Sequence, residues 1–188
     1  ETRALRGETL EGWSRRYYPN GQVLEEIVLR AGKPNGRYRY YSPDGRLLIE
    51  SRYRSGVLDG RFRKFYESGA VEDLIYYRSG MPIGEGIKFF ENGAVREVSP
   101  YRDGKINGWV KSYDLDGALK AELFHVGGLA EGEGRFYTDD GTLGMIKNYR
   151  QDRVDGWVIF LDPKGQVIER QFFENGRRVD AGNLPIAS

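Results

Sequence analysis

Glycine recurs on a fixed period, and no other feature constrains this chain as tightly. Gly12, Gly36, Gly60, Gly84, Gly108, Gly132 and Gly156 are evenly spaced, each step equal to that from Gly12 to Gly36. A second series follows nine positions later, at Gly21, Gly45, Gly69, Gly93, Gly117, Gly141 and Gly165. A third runs at the same step from Gly32 through Gly56, Gly80, Gly104 and Gly128 to Gly176, with Asp152 in the remaining slot. An unbroken period of this length, twenty-four positions, is the signature of a tandem-repeat architecture. Seven repeats are expected over residues 12–179, starting at 12, 36, 60, 84, 108, 132 and 156. Residues 1–11 read as a degenerate half-repeat or cap, with Leu5-Arg6 where later units have Tyr-Arg, and residues 180–188 as a tail.

The slots between the glycines repeat as well. Five positions after the first glycine come Tyr17, Tyr41, Phe65, Phe89, Tyr113, Tyr137 and Leu161. Eleven after it come Val23, Leu47, Val71, Val95, Leu119, Leu143 and Val167. Seventeen after it come Leu29, Tyr53, Tyr77, Tyr101, His125, Tyr149 and Phe173. Short runs rich in Tyr, Phe, Val and Ile between glycine turns predict one β-hairpin per repeat, and no window has helical periodicity. Pro19-Asn20-Gly21, Pro43-Asp44-Gly45 and Pro163-Lys164-Gly165 predict three-residue loops, with Pro presetting φ and Gly taking positive φ in a G1 bulge. In that register Tyr41 faces Leu47 and Phe65 faces Val71. Slots five, eleven, fifteen and seventeen are then expected on one face. The fold class is all-β, an elongated antiparallel meander advancing about 9.6 Å per repeat, two strand spacings.

Composition excludes several chemistries. There is no Cys, so neither disulfide nor thiolate chemistry is available, and one His cannot supply a two-histidine metal site. No apolar run is long enough for a spanning helix. The net charge is +1, which gives no global pull toward nucleic acid. His125 occupies an aromatic repeat slot and reads as a packing residue. Gly84-Glu85-Gly86 and Gly132-Glu133-Gly134 lack the Lys-Ser/Thr or third Gly of a phosphate loop. No catalytic, metal-binding or cofactor-binding residue is expected, and the chain reads as no enzyme.

Candidate binding residues come from two patterns. Arg30, Arg54, Arg78 and Arg102 recur once per repeat; a solvated, salt-bridged edge is the plainer reading of the row, in which Glu26 and Glu50, four positions before Arg30 and Arg54, could pair with them. Arg15, Arg39, Arg63, Lys111 and Arg135 form a second basic series. Tyr38, Tyr40, Phe62, Tyr66 and Tyr76 are expected on the second face of the sheet. Tyr and Arg are favoured in binding hot spots, so the first arginine series and these aromatics are the expected contact surface.

Tyr77-Arg78-Ser79-Gly80-Met81-Pro82-Ile83-Gly84-Glu85-Gly86 and Tyr101-Arg102-Asp103-Gly104-Lys105-Ile106-Asn107-Gly108 resemble the MORN-variant repeat. The resemblance implies an elongated sheet of hairpins. The chain is similar to YwqK-type antitoxin or immunity proteins, which implies a cognate toxin or effector as partner. A membrane-proximal scaffold touching anionic lipid, or self-association, is the alternative implied. An initial Glu in place of Met tilts the expected location toward a bacterial cell envelope or periplasm over the cytoplasm.

Overall fold

The computed structural model describes residues 4–6 and 9–180. Residues 1–3 and 7–8 of the expected cap and the expected tail after residue 180 therefore lie outside the described residues. The described chain is all-β, with no helix. It divides into two compact units, one reaching to Ala94 and including 102–104, the other holding 95–101 and the chain from Lys105 on.

The first unit contains β1 (Ala4–Arg6), β2 (Thr9–Tyr17), β3 (Val23–Arg30), β4 (Lys33–Tyr41), β5 (Leu47–Arg54), β6 (Val57–Leu58), β7 (Gly60–Phe65), β8 (Val71–Arg78) and β9 (Met81–Phe89). Successive strands pair antiparallel, except that β6 and β7 are two segments of one run that both pair with β5. The second unit follows the same plan through β10 (Val95–Arg102), β11 (Lys105–Ile106), β12 (Gly108–Tyr113), β13 (Leu119–Val126), β14 (Leu129–Tyr137), β15 (Leu143–Arg150), β16 (Arg153–Leu161), β17 (Val167–Glu174) and β18 (Arg177–Val179).

The first turn of each repeat is the expected three-residue loop. Tyr18 N–H donates to Gln22 O at 2.8 Å, Gly21 N–H donates to Tyr18 O at 2.9 Å, and Gly21 has φ of 85°. The second turn has two residues, both at positive φ: Ala31 (48°) with Gly32 (72°), Ser55 (50°) with Gly56 (90°). That is the type I′ geometry, whose twist matches the strands it joins. Successive second turns are tied together, since Gly56 N–H donates to Pro34 O and Gly80 N–H to Leu58 O. Asp152, the exception in the glycine series, also takes positive φ (67°), and its carboxylate accepts Ala130 N–H at 2.7 Å.

Tyr17 faces Val23, Tyr41 faces Leu47 and Phe65 faces Val71, as the loop length requires. The expected sharing of faces does not extend further along the strand. Arg16 pairs with Glu25 while Tyr17 pairs with Val23, so Leu24 is an extra residue. Leu48 and Glu72 are its equivalents, because Tyr40 pairs with Ile49 and Lys64 with Asp73. A one-residue bulge exchanges the faces of everything beyond it. Slots fifteen and seventeen consequently lie opposite slots five and eleven. One face carries Arg15, Tyr17, Glu26, Arg39, Tyr41, Glu50 and Arg63; the reverse face carries Tyr38, Tyr53, Phe62 and Tyr77. Edge-to-face ring pairs on the reverse face agree: Tyr38 with Tyr53 at 5.9 Å and Phe62 with Tyr77 at 6.1 Å.

The buried apolar core is thin. Among the described residues it consists of Val110, Ala130 and Val158, all in the second unit. Cross-strand pairs and the hydrogen-bond ladder therefore carry much of the cohesion.

A candidate anion-binding trough

In the first unit a charged ladder crosses five strands. Glu26 receives Arg15 Nε at 3.1 Å from one side and Arg39 Nη1 at 3.3 Å from the other. Glu50 receives Arg39 Nε at 3.3 Å and also bonds Arg63. Tyr41 hydroxyl donates to Glu26 at 3.0 Å. Glu26 is 7 % exposed, a depth at which an unpaired carboxylate would be costly. Burial pushes both carboxyls up, but hydrogen bonds from Arg15, Tyr41 and Arg39 to Glu26, and from Arg63 and Arg39 to Glu50, hold them below the ordinary glutamate value. The expected pairing of Glu26 and Glu50 with Arg30 and Arg54 is corrected here. Four residues of extended strand hold Arg30 and Arg54 about 13 Å along from Glu26 and Glu50, and the bulge puts these glutamates on the face of the second basic series. Arg54 instead meets Asp59 across its own turn at 3.6 Å.

One level further along the strands, on the same face, the side chains in order across the sheet are Trp13, Val28, Arg37, Arg52, Arg61 and Tyr76. Trp13 pairs with Val28, Arg37 with Arg52 and Arg61 with Tyr76. These six positions hold three adjacent arginines and no carboxylate, and the next slot of the series, on β9, is Glu85. Arg37 comes only to 3.8 Å from Glu50. Arg52 and Arg61 have no carboxylate within ion-pair distance among the described residues. Like charges directly opposite on neighbouring strands are destabilising. A trough of about 910 Å³ opens over these groups, with Trp13 and Tyr76 at its two ends. Its floor is lowered at Gly36 and Gly60: a Cβ on Gly36 would stand 2.9 Å from Val28 Cβ, and one on Gly60 3.2 Å from Arg52 Cβ. Five guanidinium groups face one carboxylate in its lining. The arrangement can hold an anion, and no cluster of three or more metal-ligating side chains occurs among the described residues.

The residues expected to form the contact surface are dispersed. Tyr38, Tyr40 and Phe62 lie on the reverse face, where Tyr38 hydroxyl donates to Glu25 at 3.3 Å and its pKa is pushed up to about 12, by burial first and by Glu25 second. Tyr66 acts as a tie between repeats, its hydroxyl donating to Phe89 O at 2.8 Å, as Tyr18 does to Tyr41 O. Tyr76 does not join Tyr38, Tyr40 and Phe62, since the bulge moves it to the trough. Arg30, Arg54, Arg78 and Arg102 are exposed at the second turns, away from the trough. His125 is a packed member of its slot, with Nδ1 3.0 Å from Leu123 O. Trp13, Arg37, Arg52 and Arg61 lie outside the set that sequence periodicity selects. Their signal is the two slots, one and sixteen after the first glycine, that hold arginine only in the second and third repeats.

The family model described as MORN repeat variant matches residues 10–29, which fall in hairpin β2–β3. Those slots recur along the chain once per repeat, and the match supports a MORN-repeat protein. No curated protein matches the chain.

Proposed function

We propose that this chain is a non-enzymatic binding protein that holds an acidic surface of one cognate protein and thereby neutralises it, as an antitoxin or immunity protein does. MORN repeats generally mediate protein or lipid binding, which is compatible with this reading. The observation that carries it is the trough, where five arginines outnumber one glutamate between two half-exposed aromatic rings. Trp, Tyr and Arg are the residues that dominate protein interfaces energetically. Neutralisation follows if the covered surface is the partner's working site. The test is to capture the partner on the tagged chain, express it alone in its host, and then co-express the two. Growth arrest relieved by the wild-type chain supports the reading. A captured partner that is harmless alone removes the antitoxin role.

A second reading rests on a different edge. The second turns expose Arg30, Arg54 and Arg78 beside Val57 and Met81, which are 44 % and 52 % exposed. Cations next to apolar side chains suit the surface of an anionic bilayer. Cosedimentation with anionic vesicles that is lost in high salt supports that reading, and no cosedimentation at low salt removes it.

A further inference from the structure

The two levels of the arginine-bearing face differ in one respect. At the inner level, arginine and glutamate alternate strand by strand, so each carboxylate bridges guanidinium groups one repeat apart: Arg15–Glu26–Arg39 and Arg39–Glu50–Arg63. At the outer level the same strands place Arg37, Arg52 and Arg61 side by side with no glutamate between them. From this we infer that the trough is a docking site for an extended acidic segment of a partner protein, whose carboxylates enter between Arg37, Arg52 and Arg61 and complete at the outer level the ladder that Glu26 and Glu50 complete within. The inference rests on the protein-binding reading above and names the chemistry of the segment bound.

Three observations select this occupant. The carboxylate–arginine bridge is the geometry these strands already form at the inner level, and arginine favours such bidentate, planar pairing. An extended chain carries its same-face side chains about 6.7 Å apart, and neighbouring strands are about 4.8 Å apart, so alternate acidic residues can reach successive gaps between the arginines. Trp13 and Tyr76 stand only at the ends of the arginine series, 41 % and 47 % exposed, where they can grip the flanks of a segment. Single-stranded nucleic acid is held by rings that stack successive bases along a basic groove, whereas the rings here stand only at the two ends of the contiguous arginines. A recessed trough also admits a segment more readily than a flat lipid surface.

Trp13 makes the test direct, because Trp109 and Trp157 belong to the second unit. The full chain is titrated with a short peptide bearing Glu at alternate positions. Its Gln counterpart, tripolyphosphate and anionic vesicles serve as comparison probes. The expected result is a saturable change in Trp emission with the Glu peptide, weakened by salt and absent in Trp13→Phe. Affinity should fall at least tenfold in Arg52→Gln/Arg61→Gln and stay within twofold in Arg30→Gln/Arg78→Gln. Circular dichroism of each variant checks that the sheet is intact. Equal binding of the Gln peptide, an undiminished affinity in Arg52→Gln/Arg61→Gln, or binding of tripolyphosphate or vesicles without the Glu peptide would overturn the inference. A captured partner that still binds Arg52→Gln/Arg61→Gln would overturn this site while leaving protein binding in place. Glu-peptide binding at the trough without any toxic partner would support the site and remove neutralisation.

Discussion

The two units share a backbone plan and differ in what they display on equivalent positions. At the outer level the first unit has Arg37 opposite Arg52 and Arg61 opposite Tyr76. The second unit has Trp109 opposite Phe124 and Trp157 opposite Phe172, with ring centroids 5.4 and 5.0 Å apart. At the inner level the first unit alternates Arg and Glu, whereas the second has Lys111 with Glu122, Arg135 opposite Ile146 and Ile159 opposite Arg170. In the second unit rings and aliphatic chains fill half of these slots, Glu133 and Asn148 hold the middle outer pair, and Lys111, Glu122 and Arg135 keep one stretch of the ladder. In the first unit the inner level is paired, while Arg52 and Arg61 at the outer level have no carboxylate within ion-pair distance among the described residues. The repeat glycines and turn residues hold a register, and the slots they leave free are where the units acquire different properties.

The largest expected effect breaks that comparison by charge. Arg52→Glu with Arg61→Glu should weaken binding of an acidic partner by roughly 100-fold, on the order of 3 kcal/mol, since it adds repulsion to lost pairing. Lys111→Glu with Lys147→Glu in the second unit should change it less than about threefold. Titration calorimetry on both pairs measures the contrast.

Next in size is the trough floor. Gly36→Ala places a side chain at φ 138° and 2.9 Å from Val28 Cβ, and should cost about 2–3 kcal/mol. Gly84→Ala, at φ 69° with open space around it, should cost about 1 kcal/mol from the backbone alone. Hydrogen exchange, read strand by strand, separates the two.

Acid should loosen the first unit through its ladder. The folded-state pKa values of Glu25, Glu26 and Glu50 are all depressed below the ordinary 4.5. For Glu25 the leading cause is the hydrogen bond from Arg16; for the other two, hydrogen bonds from their partners outweigh burial. The unfolded chain therefore takes up protons first. The stabilisation is complete above the unfolded value and is lost as pH falls below about 4.5 and through the folded values. Exchange of β3, β4, β5 and β7 should accelerate over that range, and Glu26→Gln with Glu50→Gln should flatten the response.

The smallest effects are at the second turns. Ser55→Gly should stabilise the first unit by up to about 1 kcal/mol, because serine there sits at φ 50°. Asp152→Gly in the second unit should be nearly neutral, since relief at φ 67° is offset by losing the acceptor for Ala130 N–H. Denaturant melts of both variants compare them.

The hairpins, the three-residue loops and the facing of Tyr41 with Leu47 were all legible in the sequence, because glycine and proline punctuate the chain at positions where backbone geometry admits few alternatives. The face assignment beyond the first turn was not. Leu24, Leu48 and Glu72 carry no common side chain that marks a bulge, and one extra residue reverses every later slot. That single displacement sent Glu26 to Arg15 and Arg39, separated Tyr76 from Tyr38, and hid the alignment of Arg37, Arg52 and Arg61. The arginines that do repeat, at Arg30, Arg54, Arg78 and Arg102, fall at turns. Arg37, Arg52 and Arg61 sit in slots that hold arginine in only two repeats, so periodicity passes over them, whereas Arg39 and Arg63 of the trough belong to the second basic series.

Recognition at the outer arginine level of the first unit is tested most directly by nitrogen–proton correlation spectra of the full chain with the alternating Glu peptide. The indole N–H groups of Trp13, Trp109 and Trp157 give three separate reporters there. The Trp13 indole and the amides around Arg37, Arg52 and Arg61 should shift together and saturate, while Trp109 and Trp157 stay in place. Shifts confined to the turns at Arg30, Arg54 and Arg78, or to Trp109 and Trp157, would contradict recognition at this level.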